Sequence, residues 1–399
     1  MKIKDFRAVY PFEGYVTESV NCESAAMQIK LEWDRRRCLR CPDCGEVMGR
    51  NRESRSVAYD LPCGGVQIVR VDYPAIQGLC PRCGTYHTIR PLEIHPRRHA
   101  TWRLMRYVSL LARHLPLDMM VAVLGVPAAT AWRYDRDVLE ADPPAPDLDG
   151  IEAILVDEKS VRRGHQYVTL VLNAATGELL HMAEGKKKES LEAFFALLSE
   201  AQKATIKAVC IDRNGAYGAV VAEALPGAEV VYDKFHLMSN LGKALDELRR
   251  SEYSKATGEF RHVLKGQRFN LLRHPENLAP AGELALHGLL DINRNLQVAY
   301  PLKDQFRLVW TYTKPGWARR YLRQWIWWVE ESGIAPLIRF AKGIERDIEG
   351  VVAWCKHRIT NARIESFNSV VSRIIFKARG IRSLEYLYLK LRQESLLRI

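Results

Sequence analysis

Two near-identical pentapeptides, Cys41-Pro42-Asp43-Cys44-Gly45 and Cys80-Pro81-Arg82-Cys83-Gly84, restrict the folding of the N-terminal third of this chain. Each sets two thiols on a tight turn whose glycine lets the backbone fold back beneath an ion. Two such knuckles supply the four sulfurs of a closed tetrahedral site, so Cys41, Cys44, Cys80 and Cys83 are expected to hold structural Zn²⁺. The chain carries nine cysteines, an odd number that suits metal binding in a reducing compartment better than a disulfide framework. Cys38 is an extra thiol nearby, and His87 or Cys63 could stand in as a ligand. Residues 58–62 and 66–71, between the knuckles, alternate as short strands do.

From Leu115 to Arg133 the pattern reads as helix, turn, helix, with Gly125 at the turn and Pro127 opening the second helix. That helix would present Thr130, Arg133 and Arg136 to a DNA major groove. An ordinary helical hairpin is the alternative. A net charge of +12 over 399 residues favours a polyanionic partner and so DNA binding. Asp142-Pro143-Pro144-Ala145-Pro146-Asp147 then breaks helix and strand alike and marks a linker.

Beyond the linker the pattern alternates. Strands are expected at 151–156, 167–173 and 179–183, a helix at 190–202, a strand at 206–211, a helix near 217–225 and a strand at 229–232. Three antiparallel strands followed by alternating helices and strands is the order of an RNase H-like core, whose first and fourth strands are neighbours. Asp157 follows the apolar run Ile154-Leu155-Val156, and Asp212 follows Val209-Cys210-Ile211. Glu158 points to the opposite face from Asp157 because side chains alternate along a strand. Asp233 also ends a strand and rivals Asp212. Its spacing to His236 suggests either a base- or phosphate-contacting histidine or a simple helix-capping pair.

Between Leu237 and Lys356 the chain reads as helical, with Trp310, Trp317, Trp325, Trp327, Trp328 and Trp354 set among basic residues. Such aromatics stack on bases or, more commonly, fill a core. In Asn361-x-x-x-Glu365-x-x-Asn368 all three polar residues share one helix face. Asn361 and Asn368 are candidate DNA contacts that can orient water or phosphate without adding charge, and Arg373 and Lys377 follow as candidates for the DNA backbone. Acids at two strand ends and on a late helix can hold two Mg²⁺ (or Mn²⁺) ions, the equipment of phosphodiester chemistry.

The knuckle pair, the helix-turn-helix, Val156-Asp157-Glu158, Ile211-Asp212, Asp233-Lys234-Phe235-His236 and the segment from Thr360 to Asn368 together resemble an ISL3-family insertion-sequence transposase over nearly the whole length. The resemblance implies a DDE triad at Asp157, Asp212 and Glu365, on an RNase H-like core split by a helical insertion. The expected fold is therefore α/β and multidomain. Its parts are a zinc-ribbon-like module (1–95), a helix-turn-helix (96–141), a linker (142–150), the first part of the core (151–240), an all-α insertion (241–355) and the returning core helices (356–399).

The expected activity is Mg²⁺-dependent DNA cleavage and strand transfer at terminal inverted repeats, with His236 assisting. The expected partners are double-stranded DNA, both element ends and target, and further copies of the chain in a homodimer or higher oligomer. The rivals are a domesticated transposase acting as a DNA-binding regulator and an RNase H-like nuclease such as a junction resolvase. No secretory pattern opens the sequence and no apolar run reaches the roughly 20 residues of a membrane helix, so a cytoplasmic, membrane-free protein is expected.

Overall fold

The computed structural model describes residues 11–395 except 24, 63–64, 163, 165, 214–215 and 382, so Cys63 lies outside the described residues. The chain divides into two compact units, Met1–Pro144 with Ile375–Lys390, and Ala145–Ile374 with Leu391–Ile399. No described helix is long and apolar enough to cross a membrane.

The first unit is built on a five-stranded sheet of β1 (Tyr15–Glu23), β2 (Ala26–Trp33), β3 (Gly49–Asp60), β4 (Ile68–Leu79) and β5 (Tyr86–Ile89), ordered β1-β2-β4-β3 with β5 on β4. Ile29, Leu31, Val69, Val71 and Tyr73 bury one face of it. β3 runs well beyond the segment whose alternation marks it as a strand. Its first seven residues are all exposed and mostly polar, and pairing with β4 rather than burial holds them extended. The helices α1 (Trp102–Ala112), α2 (Met120–Leu124) and α3 (Ala128–Ala141) enclose Met105, Met120 and Ala131. Buried Asp60, at the end of β3, accepts the Thr101 hydroxyl (2.6 Å) and the Arg103 guanidinium, while the Thr101 oxygen caps α1. One carboxylate thus ties sheet to helix.

The second unit holds β6 (Ala153–Arg162), β7 (Gln166–Asn173), β8 (Leu179–Glu184), β9 (Ala208–Ile211) and β10 (Glu229–Tyr232) in the order β10-β9-β6-β7-β8. β6, β7 and β8 pair antiparallel, whereas β9 lies parallel to β6 and β10 parallel to β9. Ile154, Leu155 and Val156 are all buried, as a strand covered on both faces requires. On one face α4 (Lys188–Phe195) contributes Leu191, Phe194 and Phe195, and α6 (Tyr217–Ala224) contributes Val220 and Val221.

The single helix expected over 190–202 is two helices, α4 and α5 (Glu200–Thr205). Ser199 and Gln202 form a reciprocal capping box that starts a new helix there. β6 also continues past Asp157 to Arg162, because β7 pairs with it along that whole length.

After β10 comes α7 (Lys234–Lys255), the first member of a helical block that runs to His357 around Leu245, Phe306, Trp325, Leu337 and Ile344. Of the six tryptophans, Trp325 and Trp354 are buried, Trp310 and Trp328 are partly buried against this core, and Trp317 and Trp327 are exposed. The block meets the sheet closely at Gly350, where a Cβ would stand 2.4 Å from the Tyr232 ring. The chain returns through α8 (Ala362–Lys377) and α9 (Leu384–Ser395). Buried Arg392 of α9 pairs with Glu178 at 3.0 Å, and the Ser395 hydroxyl accepts Leu179 N–H, which closes the β7–β8 hairpin.

Candidate catalytic cluster and zinc site

β6 and β9 run in parallel register, Ala153 with Ala208 through Leu155 with Cys210. Asp157 stands on β6 two residues past Leu155, and Asp212 follows the end of β9 two residues past Cys210, near enough for its charge to act on Asp157. β9 ends at Ile211 while β6 continues to Arg162. The Asp157 carboxylate accepts Glu158 N–H (2.8 Å) and the Asn368 side-chain amide (2.8 Å). Burial pushes its pKa above the ordinary carboxylate value. Glu158, on the opposite face, is raised by burial too and is hydrogen-bonded by Tyr217.

A second group forms where the helical block leaves the sheet and returns. Asp233 is fully buried and caps α7, accepting His236 N–H at 2.9 Å, with His236 Nδ1 3.2 Å from the same oxygen. Its other oxygen accepts Asn361 N–H at 2.9 Å. Burial opposes the Asp233 charge, but hydrogen bonds from His236 and Asn361 outweigh it and hold the carboxyl below its usual range. The Asp233 carboxylate raises His236 to about 9, reinforced by the charges of Asp212 and Asp157. Glu365, in the first turn of α8, joins them: ligand atoms of Asp233, His236 and Glu365 all lie within 4.8 Å of one another.

Asp157 and Glu365 are thus linked through one helix face, since Asn368 is three residues beyond Glu365 and touches Asp157. The rival strand-end acids differ in availability. Both Asp233 oxygens are occupied within the protein, whereas Asp212 Oδ1 is buried without a hydrogen-bond partner. Asn361 Oδ1 and Asn368 Oδ1 are likewise buried and unpartnered. Oxygen acceptors left unsatisfied beside several carboxylates are what a hard divalent cation and its waters would engage.

In the first unit, sulfur atoms of Cys41, Cys44, Cys80 and Cys83 all fall within 4.8 Å of one another. Cys44 lies 3.3 Å from Cys83 and 3.6 Å from Cys80, and Gly45 and Gly84 take the left-handed backbone (φ 74° and 67°) that closes each knuckle. The Cys83 backbone N–H lowers the Cys80 thiol to about 7, while the Cys44 and Cys80 thiols push Cys83 up to about 12. Four sulfurs this close cannot all ionise without a cation among them, and the set could hold zinc. Cys38 is exposed and outside it, whereas His87 groups with Cys41 and Asp43 instead.

A family profile described as Transposase, of the DDE ISL3 type, matches residues 154–391. The chain belongs to the ISL3-family transposases. The transposase for insertion sequence element IS1001 of Bordetella parapertussis is 30% identical over 357 residues, covering 88% of this chain and 87% of that protein. The transposase for insertion sequence element IS1557 of Mycobacterium tuberculosis (strain CDC 1551 / Oshkosh) is 28% identical over 256 residues, 58% of this chain and 57% of that one.

The remaining sequence-predicted residues of this ISL3-family chain fall in varied settings. Arg133 is exposed on α3 and Thr130 half-buried, while Arg136 lies over the Trp132 ring (5.0 Å) and pairs with Glu140 (3.1 Å). Arg373 is 3.6 Å from Glu394, and the Lys377 ammonium donates to the Arg113 carbonyl (2.8 Å). Sequence reasoning missed the Asp233–Asn361 clasp, whose partners lie 128 residues apart with no local signal, and the Glu158–Tyr217 contact.

Proposed function

We propose that this chain is a metal-dependent DNA transposase that cuts an insertion sequence at its terminal inverted repeats and joins the freed ends to target DNA. The observation that carries this reading is Asp157 on β6 and Asp212 directly after the adjacent parallel strand β9, beside the helix bearing Glu365 and Asn368. The strand order β10-β9-β6-β7-β8, with β6, β7 and β8 antiparallel, is that expected of an RNase H-like core and supports it.

Asp157, Asp212 and Glu365 would hold Mg²⁺ or Mn²⁺, which would activate the attacking oxygen and stabilise the leaving one. Asn368 orients the Asp157 carboxylate through its amide. His236, kept protonated at neutral pH by Asp233, offers a cation beside these acids that can contact a scissile phosphate. Water attack at the element end releases a 3′-OH. That hydroxyl then attacks a target phosphodiester, forming one P–O bond and breaking another with a target 3′-OH as leaving group.

The zinc module and the α2–α3 hairpin, with Thr130, Arg133 and Arg136, serve recognition of the element ends in this reading, and Arg373 and Lys377 lie along the DNA backbone. A homodimer or higher oligomer would bring the two ends together. The test is cleavage and strand transfer on the native element ends with Mg²⁺. Alanine at Asp157, Asp212 or Glu365 should abolish both while end binding persists. Full cleavage by the Asp212→Ala protein would overturn the assignment, and nicking without strand transfer would favour a nuclease.

A further inference from the structure

At the start of α7, whose third residue is His236, the second unit contains a cavity of 420 Å³, within the range of roughly 300–1,000 Å³ typical of ligand sites. Lys234 and Phe235, which immediately precede His236, form one wall, and Asp304, Arg307, Leu308 and Trp310 of the helical block form another. The composition is specific. Phe235 is 47% exposed, an apolar ring left uncovered although α7 has a large core to pack against. Lys234 lies 5.2 Å from that ring, and Arg307 adds a second cation.

Two polar atoms of the lining residues lack hydrogen bonds. Trp310 Nε1 is buried with no acceptor. Asp304 Oδ1 is buried with no donor, its nearest cation being Lys303 Nζ at 3.5 Å, which is itself committed to the Leu271 and Arg273 carbonyls. The wall is also held in place. Arg358, in the left-handed region (φ 54°), donates to the Trp310 carbonyl at 3.2 Å and the Tyr312 carbonyl at 2.8 Å, three residues before Asn361.

An uncovered aromatic ring flanked by two cations is the combination that binds a nucleotide out of its stack. The ring takes the base face and the cations take the phosphate. We propose that this cavity receives an unstacked nucleotide of a DNA strand lying at the candidate catalytic cluster. The site rests on the transposase reading and extends it, because it gives the helical block a direct part in holding a single strand next to Asp157, Asp212 and Glu365.

The test uses the full chain without added divalent cation, and two fluorescein-labelled probes, a dT12 single strand and a 12-base-pair duplex, followed by anisotropy. Phe235→Ala and Arg307→Ala should each weaken dT12 binding by roughly tenfold, the scale of one lost stacking or phosphate contact, and leave duplex binding within about twofold. Melting temperatures matching the parent chain establish that both variants fold. Should one variant not fold, the other carries the test, and cross-linking of a 5-iodouracil-substituted dT12 to Phe235 or Trp310 in the parent chain supports the same site. Unchanged dT12 affinity in a folded variant, or an equal loss on duplex, overturns the pocket while leaving the transposase reading intact. A parent chain that binds neither probe overturns both.

Discussion

Asp233 and Asn361 are 128 residues apart in sequence and joined by a single buried hydrogen bond of 2.9 Å, from the Asn361 N–H to the Asp233 carboxylate. The same carboxylate caps α7 through His236 N–H. The helical block therefore departs from the sheet and comes back to it at one carboxyl group.

Replacing Asp233 with alanine removes the cap, a loss of about 1 kcal/mol, and strands the buried Asn361 N–H at a further cost of about 1–3 kcal/mol. Urea denaturation should register a destabilisation on the order of 2–4 kcal/mol. A variant as stable as the parent would show that the clasp is incidental.

Asn368 touches Asp157 without being one of the candidate metal-holding acids. Asn368→Ala should lower cleavage of the element ends by roughly tenfold to a hundredfold, as expected for loss of a group that orients a ligand, with little change in end binding. Single-turnover cleavage compared with gel-shift affinity separates the two, and loss of both together would sink a purely orienting role.

Gly350 lets the helical block approach Tyr232, and a methyl group there would meet the ring at 2.4 Å. Gly350→Ala should destabilise the second unit by about 1–3 kcal/mol through overpacking. Tyr232→Leu, which removes the ring, should recover part of that loss in the double variant. Additive effects would falsify the steric account.

His181 on β8 has Nε2 buried without a partner and lies 5.7 Å from Phe194. Burial depresses its pKa below the ordinary 6.5, so the unfolded chain takes up the proton first as the pH falls. Stability is full above 6.5 and declines as the pH drops through that value. Buried His95 is depressed in the same direction, also by burial. Thermal midpoints between pH 5 and 8 should therefore show a shallower acid-side decline for His181→Leu than for the parent, without abolishing it. An unchanged slope would count against the burial argument.

The four knuckle cysteines lead to a compositional test. Purified chain should carry one zinc per molecule by elemental analysis, and a chelator should lower the melting temperature. Cys80→Ser should lose the metal, whereas Cys38→Ser, whose thiol is exposed and outside the four-sulfur group, should retain it. Zinc retained by Cys80→Ser would point to a different ligand set.

Local patterns in the sequence carried much of this architecture. The knuckles, the turn at Gly125, the strand Glu229–Tyr232 and the apolar runs before Asp157 and Asp212 are signals within a few residues, and the structure has elements at each. The break at Ser199 was also written locally, in the Ser199–Gln202 capping box, but the apolar face of α4 masked it.

Features set by pairing were out of reach. The exposed half of β3 has no alternation to read, and the extension of β6 past Asp157 depends on β7. The tryptophans illustrate the same limit: helical spacing alone does not separate buried Trp325 from exposed Trp327, two positions along one helix. The rivalry between Asp212 and Asp233 likewise turns on three dimensions: both Asp233 oxygens accept hydrogen bonds, one from a residue 128 positions away, and no local pattern shows that.

The helical block is fastened to the sheet at several points: the Asp233–Asn361 hydrogen bond, Gly350 against Tyr232, and Ala353 and Trp354 against Ala208 and Val231. The foot of the block and strands β9 and β10 therefore form one packed unit, and a change of side-chain volume on either side is transmitted to the other.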